Sequence, residues 1–178
     1  MKVELVERQL PIDSPRRVGK MIPTYITVHE TSLGTDLQPA EKDFARYYGM
    51  LTTGDSKVGY HFLVEANTGK PARVYQFLET TVATCHTGNP DGNSCSIGIE
   101  RLVNTDTNMC RAISLQAQLT ATLMHMYDIP ISHVVPHKFW SGKECPARLL
   151  AGMYGGWSGF VEMVKHHLRE QDWIDGVL

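Results

Sequence analysis

The sequence lacks several features that would place it in a special class of protein. No apolar run approaches the stretch of about 20 residues needed to cross a bilayer, and there is no internal repeat or low-complexity tract. Lysine and arginine total 17 against 19 aspartates and glutamates, which gives a formal net charge of −2. Because a surface that neutralises phosphates needs a basic excess, we expect neither nucleic-acid binding nor membrane insertion.

The first residues also lack the apolar core of a secretory signal, because Glu4 and Glu7 interrupt it. We therefore expect a protein made in the cytoplasm without a signal peptide, or one whose signal has been removed. Cysteine is scarce, with four in 178 residues, and a chain of this length does not need disulfides. We expect all four thiols to be reduced, with Cys85, Cys95 and Cys110 serving as packing groups.

The sequence does contain short β-rich runs that alternate with helical periodicities. Its 178 residues, 42% of them hydrophobic, suit one globular domain with a substantial core. Strands interspersed with helices indicate an α/β fold, a single domain with a central mixed β-sheet flanked by helices. We predict strands over 25–29, 59–65, 73–77, 96–102 and 133–135, and helices that begin at Pro39, after an N-cap at Ser114 and at about Trp157.

The predicted catalytic domain spans residues 1–178, with its core at about 22–169. The opening segment up to Thr24 is polar and punctuated by prolines, so we expect it to wrap the surface. We interpret the residues after 170 as the start of a linker.

Side-chain parity places two chemically capable residues on the polar faces of predicted strands. Residues two apart on a strand share a face, so His29 lies opposite Ile26 and Val28. By the same rule Glu100 lies opposite Ile97 and Ile99. We expect the two polar faces to form the floor of a cleft.

A histidine and a cysteine occur close together in the glycine-containing loop 135–146. These are His137 and Cys145, with Lys143 two positions before the thiol. His29 ends the first β-rich run, far upstream. Two imidazoles and a thiolate are good zinc ligands, and catalytic zinc keeps three protein ligands and a fourth position for water. The sequence therefore predicts that His29, His137 and Cys145 bind one Zn²⁺ ion.

Five segments in this order resemble the zinc-dependent N-acetylmuramoyl-L-alanine amidases of the type-2 family, which shares its fold with peptidoglycan recognition proteins. The segments are 26–29, 59–64, 85–88, 96–100 and 137–146. The resemblance runs from about Ile22 to Arg169, and the segment from Trp140 to Pro146 is similar to phage and prophage endolysins and autolysins.

The resemblance implies hydrolysis of the amide that joins the lactyl group of N-acetylmuramic acid to L-alanine of the stem peptide. It implies peptidoglycan as the partner, a monomeric enzyme, and action on the cell wall after release from the cytoplasm through a holin or through lysis. It also implies the metal ligands named above, with Cys145 in a position that other members fill with aspartate.

Further site residues follow from matching positions. Glu100 matches the catalytic glutamate of bacterial members, and we assign it the transfer of a proton from water to the leaving amine. Lys143 lies two residues before the predicted metal ligand Cys145, and we assign it to stabilise the oxyanion of the tetrahedral intermediate. Tyr60 matches a tyrosine near zinc in relatives, so the choice of general base between Glu100 and Tyr60 stays open; we favour Glu100. His86 matches a substrate-contacting histidine, although the tryptophan usual before it is here Cys85.

Three other functions remain open at this stage. Some relatives of this fold bind peptidoglycan without cutting it, but they lack the metal thiolate that Cys145 supplies. A cysteine hydrolase would use Cys145 or Cys85 as its nucleophile. A cytoplasmic amidase that recycles muropeptides would also lack a signal peptide.

Overall fold

A mixed β-sheet with helices on both faces forms the described part of this chain, residues 3–31 and 40–177 of a computed structural model. This arrangement confirms the predicted α/β architecture. The strands are β1 (Val3–Glu7), β2 (Gly19–Lys20), β3 (Tyr25–Glu30), β4 (Phe62–Glu65), β5 (Ala72–Gln76), β6 (Val82–Ala83), β7 (Ser96–Arg101) and β8 (Val134–Pro136). The helices are α1 (Ala40–Thr52), α2 (Pro90–Cys95), α3 (Met109–Tyr127), α4 (Lys138–Ser141), α5 (Ala147–Leu150) and α6 (Gly156–Glu170).

The order of the strands puts β3 near one side of the sheet, between two parallel neighbours. Within the described residues, six strands run in the order β1-β5-β4-β7-β3-β8. All neighbours are parallel except the hairpin β4–β5. Strands β2 and β6 form a separate antiparallel pair. The carboxyl ends of β7, β3 and β8 therefore meet at one edge, where sheets of this kind bind their ligands.

One face of the sheet is covered by α3, with α6 packed behind it. Ile26 and Val28 of β3 have no exposed surface and share a cluster with Ile99, Leu119 and Phe160. Burying such a side chain stabilises the fold by about 1.5–3 kcal/mol. The parity expectation therefore holds for β3, whose two aliphatic residues face the core.

The start of α3 differs from our expectation. Ser114 lies inside the helix, which begins at Met109. The side-chain oxygen of Asn108 caps it by accepting a hydrogen bond from the backbone N–H of Arg111 at 3.1 Å. Asparagine is a strong N-cap residue because this oxygen satisfies an amide that has no partner within the helix.

The opening segment also differs from our expectation, because part of it joins the sheet. Strand β1 pairs in parallel with β5, and Val3 and Leu5 pack against the main core. The strand has only five residues, and its apolar and acidic residues do not alternate strictly, so it is a weak strand signal. The segment thus supplies an edge strand as well as a surface loop.

The second face of the sheet is only partly covered. Tyr47 and Leu51 of α1 pack with Leu63 of β4 and with Phe77. The predicted helix start at Pro39 lies outside the described residues. Because α1 covers the β4–β5 side, the polar face of β3 and β7 stays accessible and forms a cleft.

The segment after α6 folds back onto α3. Ile174 and Val177 are buried against the main core, and the backbone N–H of Ile174 donates to Thr122 Oγ1 at 3.0 Å. Gln118 donates to Asp172 at 2.8 Å. These contacts place the tail on the core, where we expected the start of a linker.

The state of the cysteines and the character of the helices can both be compared with the expectations from composition. Cys85, Cys95, Cys110 and Cys145 are all free thiols. None of the helices that the structure describes combines the length and the apolar character needed to cross a membrane.

A buried ion pair on the core side of β3 fastens the loop after Cys145 to the sheet. One carboxylate oxygen of Glu30 accepts hydrogen bonds from the backbone N–H and the guanidinium of Arg148, each at 3.0 Å. The other oxygen accepts from Arg101, which also donates to Gln116 at 2.5 Å. Glu30 therefore joins β3, β7 and the start of α5 at one point.

We predict that Glu30→Ala lowers the free energy of unfolding by about 3–5 kcal/mol, because the charge of Arg101 then stays buried without a carboxylate partner. Urea unfolding followed by circular dichroism at neutral pH measures this. Glu162→Ala is the matched control, since its partner Lys165 is exposed and such pairs contribute little. Equal, small shifts of the two midpoints would contradict the prediction.

Candidate active site and metal centre

The register of three parallel strands aligns three of the predicted site residues. His29 of β3 pairs directly with Glu100 of β7. On the other side, Val28 pairs with Pro136 of β8, so the next residues, His29 and His137, emerge side by side. Their ring centroids are 4.7 Å apart. All three residues are distant from one another in sequence, and the parallel pairing brings them together.

The thiol of Cys145 reaches the same point from a tight loop. Helix α4 ends at Gly142, whose φ of 76° suits glycine, and the backbone N–H of Lys138 donates to the carbonyl of Cys145 at 3.2 Å. The Sγ atom then lies 4.0 Å from His29 Nδ1. Ligand atoms of His29, His137 and Cys145 all lie within 4.8 Å of one another, and the three residues are buried. This group can hold a metal ion.

The ring nitrogens of His29, His86 and His137 differ in their hydrogen-bond partners. His29 Nε2 lies 3.0 Å from His86 Nδ1, and His86 Nε2 lies 2.9 Å from the carbonyl oxygen of Ser96. His137 Nδ1 is buried and has no hydrogen-bond partner among the described residues. Both ring nitrogens of His86 therefore have protein partners, while its predicted contact with substrate stays a prediction.

Asn93 holds the segment that carries His86, a role that the sequence did not reveal. Its Oδ1 atom accepts hydrogen bonds from the backbone N–H groups of His86 and Thr87 and from Thr87 Oγ1, each at 2.9 Å. Asn93 lies in α2, a short helix that is not among those we predicted. The pair Asn89-Pro90 was the available signal, because Asn89 caps this helix and Pro90 opens it.

Glu100, Tyr60 and Lys143 surround the same group. Glu100 Oε1 lies 4.0 Å from His29 Nδ1. The other Glu100 carboxylate oxygen and the Tyr60 hydroxyl are buried without a hydrogen-bond partner in the described structure. Lys143 is exposed at the rim. All three line one cavity, which is a geometry that acid–base chemistry requires, although their catalytic roles remain predictions.

The cavity has the size and lining of a ligand site. Its volume is about 500 Å³, inside the range of about 300–1,000 Å³ that is common for such sites. Polar groups from the strand ends form the floor, and Tyr47, Met50 and Val58 form a more apolar wall. A ligand with both polar and apolar parts would fit this division.

Burial sets the protonation of the metal-free group. It raises the pKa of the Cys145 thiol to about 12 and lowers the pKa of His86 to about 3. Burial likewise lowers the pKa of His29 and of His137, and nearby histidines and Lys143 add to the effect on His29. The imidazoles are therefore neutral and keep lone pairs, while the thiol keeps its proton until a cation replaces it.

Comparison with known proteins identifies close relatives. The family model described as N-acetylmuramoyl-L-alanine amidase, Amidase_2, matches residues 19–148. The chain is 37% identical over 166 residues to the N-acetylmuramoyl-L-alanine amidase XlyA of Bacillus subtilis (strain 168), covering 88% of this chain and 53% of that protein. It is 36% identical over 160 residues to the amidase CwlH of the same organism, covering 88% and 59%.

A solved structure agrees with these matches. The catalytic domain of XlyA is 35% identical and superposes with a TM-score of 0.77, covering 90% of this chain and 99% of that domain. The chain spans about half the length of the curated relatives that it matches. The similarity therefore covers the catalytic domain of XlyA rather than the whole of that protein.

We predict that Glu100→Gln changes the pH dependence of stability in the metal-free protein. Burial raises the pKa of Glu100 from its ordinary value of 4.5 to about 8, against the opposing influence of Lys143 and Arg101. A raised carboxyl pKa favours the protonated form, so its contribution to stability is complete below about pH 4.5 and is lost as the pH rises to about 8. Glutamine mimics the neutral form across this window.

Urea unfolding of both proteins in the presence of a chelator, at several pH values between about 5 and about 8, measures the effect. The wild-type protein should lose stability relative to the glutamine variant as the pH rises. A difference that stays constant with pH would contradict the raised pKa.

Proposed function

Because this chain belongs to the N-acetylmuramoyl-L-alanine amidase family Amidase_2, we propose that it hydrolyses the amide between N-acetylmuramic acid and L-alanine in peptidoglycan. The observation that carries the proposal is the convergence of His29, His137 and Cys145 beside Glu100 in one cavity. Hydrolysis of an amide calls for a cation that polarises the carbonyl group, since this group is a poor electrophile and resists attack by water.

Zinc is the ion that suits the three donors. Bond lengths of about 2.0–2.3 Å put the donor atoms of one tetrahedral zinc ion less than about 4 Å apart. The donors here lie within 4.8 Å, with His29 Nδ1 and Cys145 Sγ at 4.0 Å, so these residues would hold the ion after only small shifts of their side chains. One thiolate and two imidazoles favour zinc over magnesium or calcium. When bound, zinc would polarise the carbonyl and lower the pKa of water to about 7.

Glu100 is the general base in this proposal. Its carboxylate stands beside the metal group, and one oxygen has no other partner. It accepts the proton of the attacking water and delivers it to the leaving amide nitrogen, which departs as the amine of L-alanine. Such a base contributes about 10²–10⁴-fold to the rate.

Lys143 and Tyr60 complete the proposed chemistry from the two sides of the cavity. The ammonium of Lys143 stabilises the negative charge that develops on the carbonyl oxygen when water attacks. Burial and the nearby Glu100 raise the pKa of Tyr60 well above its ordinary value, so its hydroxyl stays protonated. Tyr60 is therefore suited to donate a hydrogen bond and unsuited to act as the base.

A thiol hydrolase fits the same residues less well. A cysteine nucleophile needs a lowered pKa, whereas burial raises that of Cys145 to about 12. The family match and the cavity then favour action on the cell wall, with the peptidoglycan strand as substrate. We propose a monomeric enzyme of the endolysin or autolysin type.

We predict that Cys145→Ser abolishes zinc binding and activity together, because a serine hydroxyl is a much weaker zinc ligand than a thiolate. Zinc content after dialysis measures the first effect, and clearing of purified cell walls measures the second. Cys110→Ser, at an exposed thiol outside the cavity, is the control and should keep both. An active, zinc-free Cys145→Ser protein would rule out the metal mechanism.

We predict that Glu100→Ala keeps one zinc per chain and loses about 10²–10⁴-fold in turnover. Mass analysis of digested walls supplies the activity measurement, through free muramoyl carboxyl groups and new alanine amino termini. Tyr60→Phe is the comparison, since it removes only the proposed hydrogen-bond donor. Full activity of Glu100→Ala together with an inactive Tyr60→Phe would transfer the base role to Tyr60.

A further inference from the structure

We propose that His86 is a positioning residue that fixes the tautomer of His29, leaving the Nδ1 lone pair of His29 directed at the metal. The inference rests on the proposed function, because it assigns a support for one of the proposed zinc ligands. It reassigns a residue that the sequence had placed against the substrate. The proposal is based on the chain of contacts that runs from His29 through His86 to the Ser96 carbonyl.

The direction of each hydrogen bond in this chain follows from its far end. A carbonyl oxygen can only accept, so the 2.9 Å contact with Ser96 requires the proton on His86 Nε2. In a neutral ring, His86 Nδ1 is then an acceptor. The 3.0 Å contact with His29 therefore requires the proton on His29 Nε2. That leaves His29 Nδ1 unprotonated, at 4.0 Å from Cys145 Sγ.

The space for His86 exists because residue 98 is glycine. A Cβ atom at Gly98 would lie 2.7 Å from His86 Nδ1 and 3.0 Å from its Cγ and Cε1 atoms. These distances are shorter than any ordinary contact, so a side chain at 98 would displace the ring. Gly98 is on β7 two residues before Glu100 and shares its face. The strand that carries the proposed base thus also makes room for the ring behind His29.

The backbone of His86 is held as firmly as its ring. Asn93 accepts hydrogen bonds from the N–H groups of His86 and Thr87, and the backbone of Thr87 raises the pKa of the nearby His137 against the lowering effect of burial. The ring of His86, held in this way, is the hydrogen-bond partner of His29. Partners of this kind fix the ring orientation of metal-bound histidines and raise their basicity.

Two amide substitutions at position 86 separate the tautomer role from simple packing. In His86→Asn, the side-chain oxygen occupies the place of Nδ1 and can still accept from His29. In His86→Gln, the amide occupies the place of Nε2, so it keeps the Ser96 contact and loses the acceptor. We expect His86→Gln to weaken zinc binding by about 10–100-fold, and His86→Asn to stay within a few-fold of the wild type.

Zinc affinity measured by competition with a chromophoric chelator tests this expectation. The control is His133→Gln, at a histidine that contacts the Thr24 carbonyl and none of the proposed ligands; its affinity should be unchanged. Equal affinities of the wild type and His86→Gln would overturn the proposal. Equal weakening in His86→Asn and His86→Gln would also overturn it, since the ring itself would then be what matters.

Nitrogen-15 spectra of the metal-free wild type test the tautomer directly. The proposal requires a proton on His29 Nε2 and none on His29 Nδ1, and the opposite tautomer would overturn it even if a variant failed to fold. This readout also separates the two hypotheses. If the wild type binds no zinc, the proposed function fails, while the tautomer measurement still decides the role of His86.

Discussion

Parallel pairing of β3 with β7 and with β8 decides where each functional group of this protein can lie. The register aligns Glu100, His29 and the residue after β8 at the carboxyl ends of three neighbouring strands. Alternation then sends Ile26 and Val28 into the core and His29 into the cleft. A slip of one residue would exchange these faces, so the same hydrophobic contacts that stabilise the sheet also fix the position of the site.

The end of β3 carries polar groups on both of its faces, and each group is satisfied in a different way. On the core side, Glu30 is matched by Arg101 and Arg148. Such a buried pair adds little net stability compared with apolar residues of the same size, but it fastens the chain just after Cys145. On the cleft side, His29 is matched by His86. The two arrangements restrain the same short segment from opposite directions, which is what a site of fixed geometry requires.

The sequence allowed prediction of those parts of the site that depend on strand alternation and on ligand chemistry. His29 and Glu100 were placed on the polar faces of their strands by parity, and His137 and Cys145 were grouped by their residue types. The supporting contacts could not be predicted, because they depend on how loops and short helices pack around the strands. Asn93 is an example: its three hydrogen bonds depend on how α2 packs against the loop before it. The caps show the same limit, since Asn108 and Ser114 are both capping residues, and only the packing of α3 chooses between them.

Charge balance explains how His29, His137, Cys145 and Glu100 can be buried together. Without a cation, burial keeps the Cys145 thiol and the Glu100 carboxyl protonated, as the raised pKa of each indicates, and it keeps the imidazoles neutral. The group is then uncharged. A divalent ion favours loss of both protons, because it supplies two positive charges that a thiolate and a carboxylate neutralise. The group is uncharged again, so the interior avoids the cost of an unpaired charge in either state. A neutral residue at position 100 would leave one positive charge of the ion unbalanced, so we expect the proposed base to add to the affinity for the ion, while His29, His137 and Cys145 are the donors that keep it in the site.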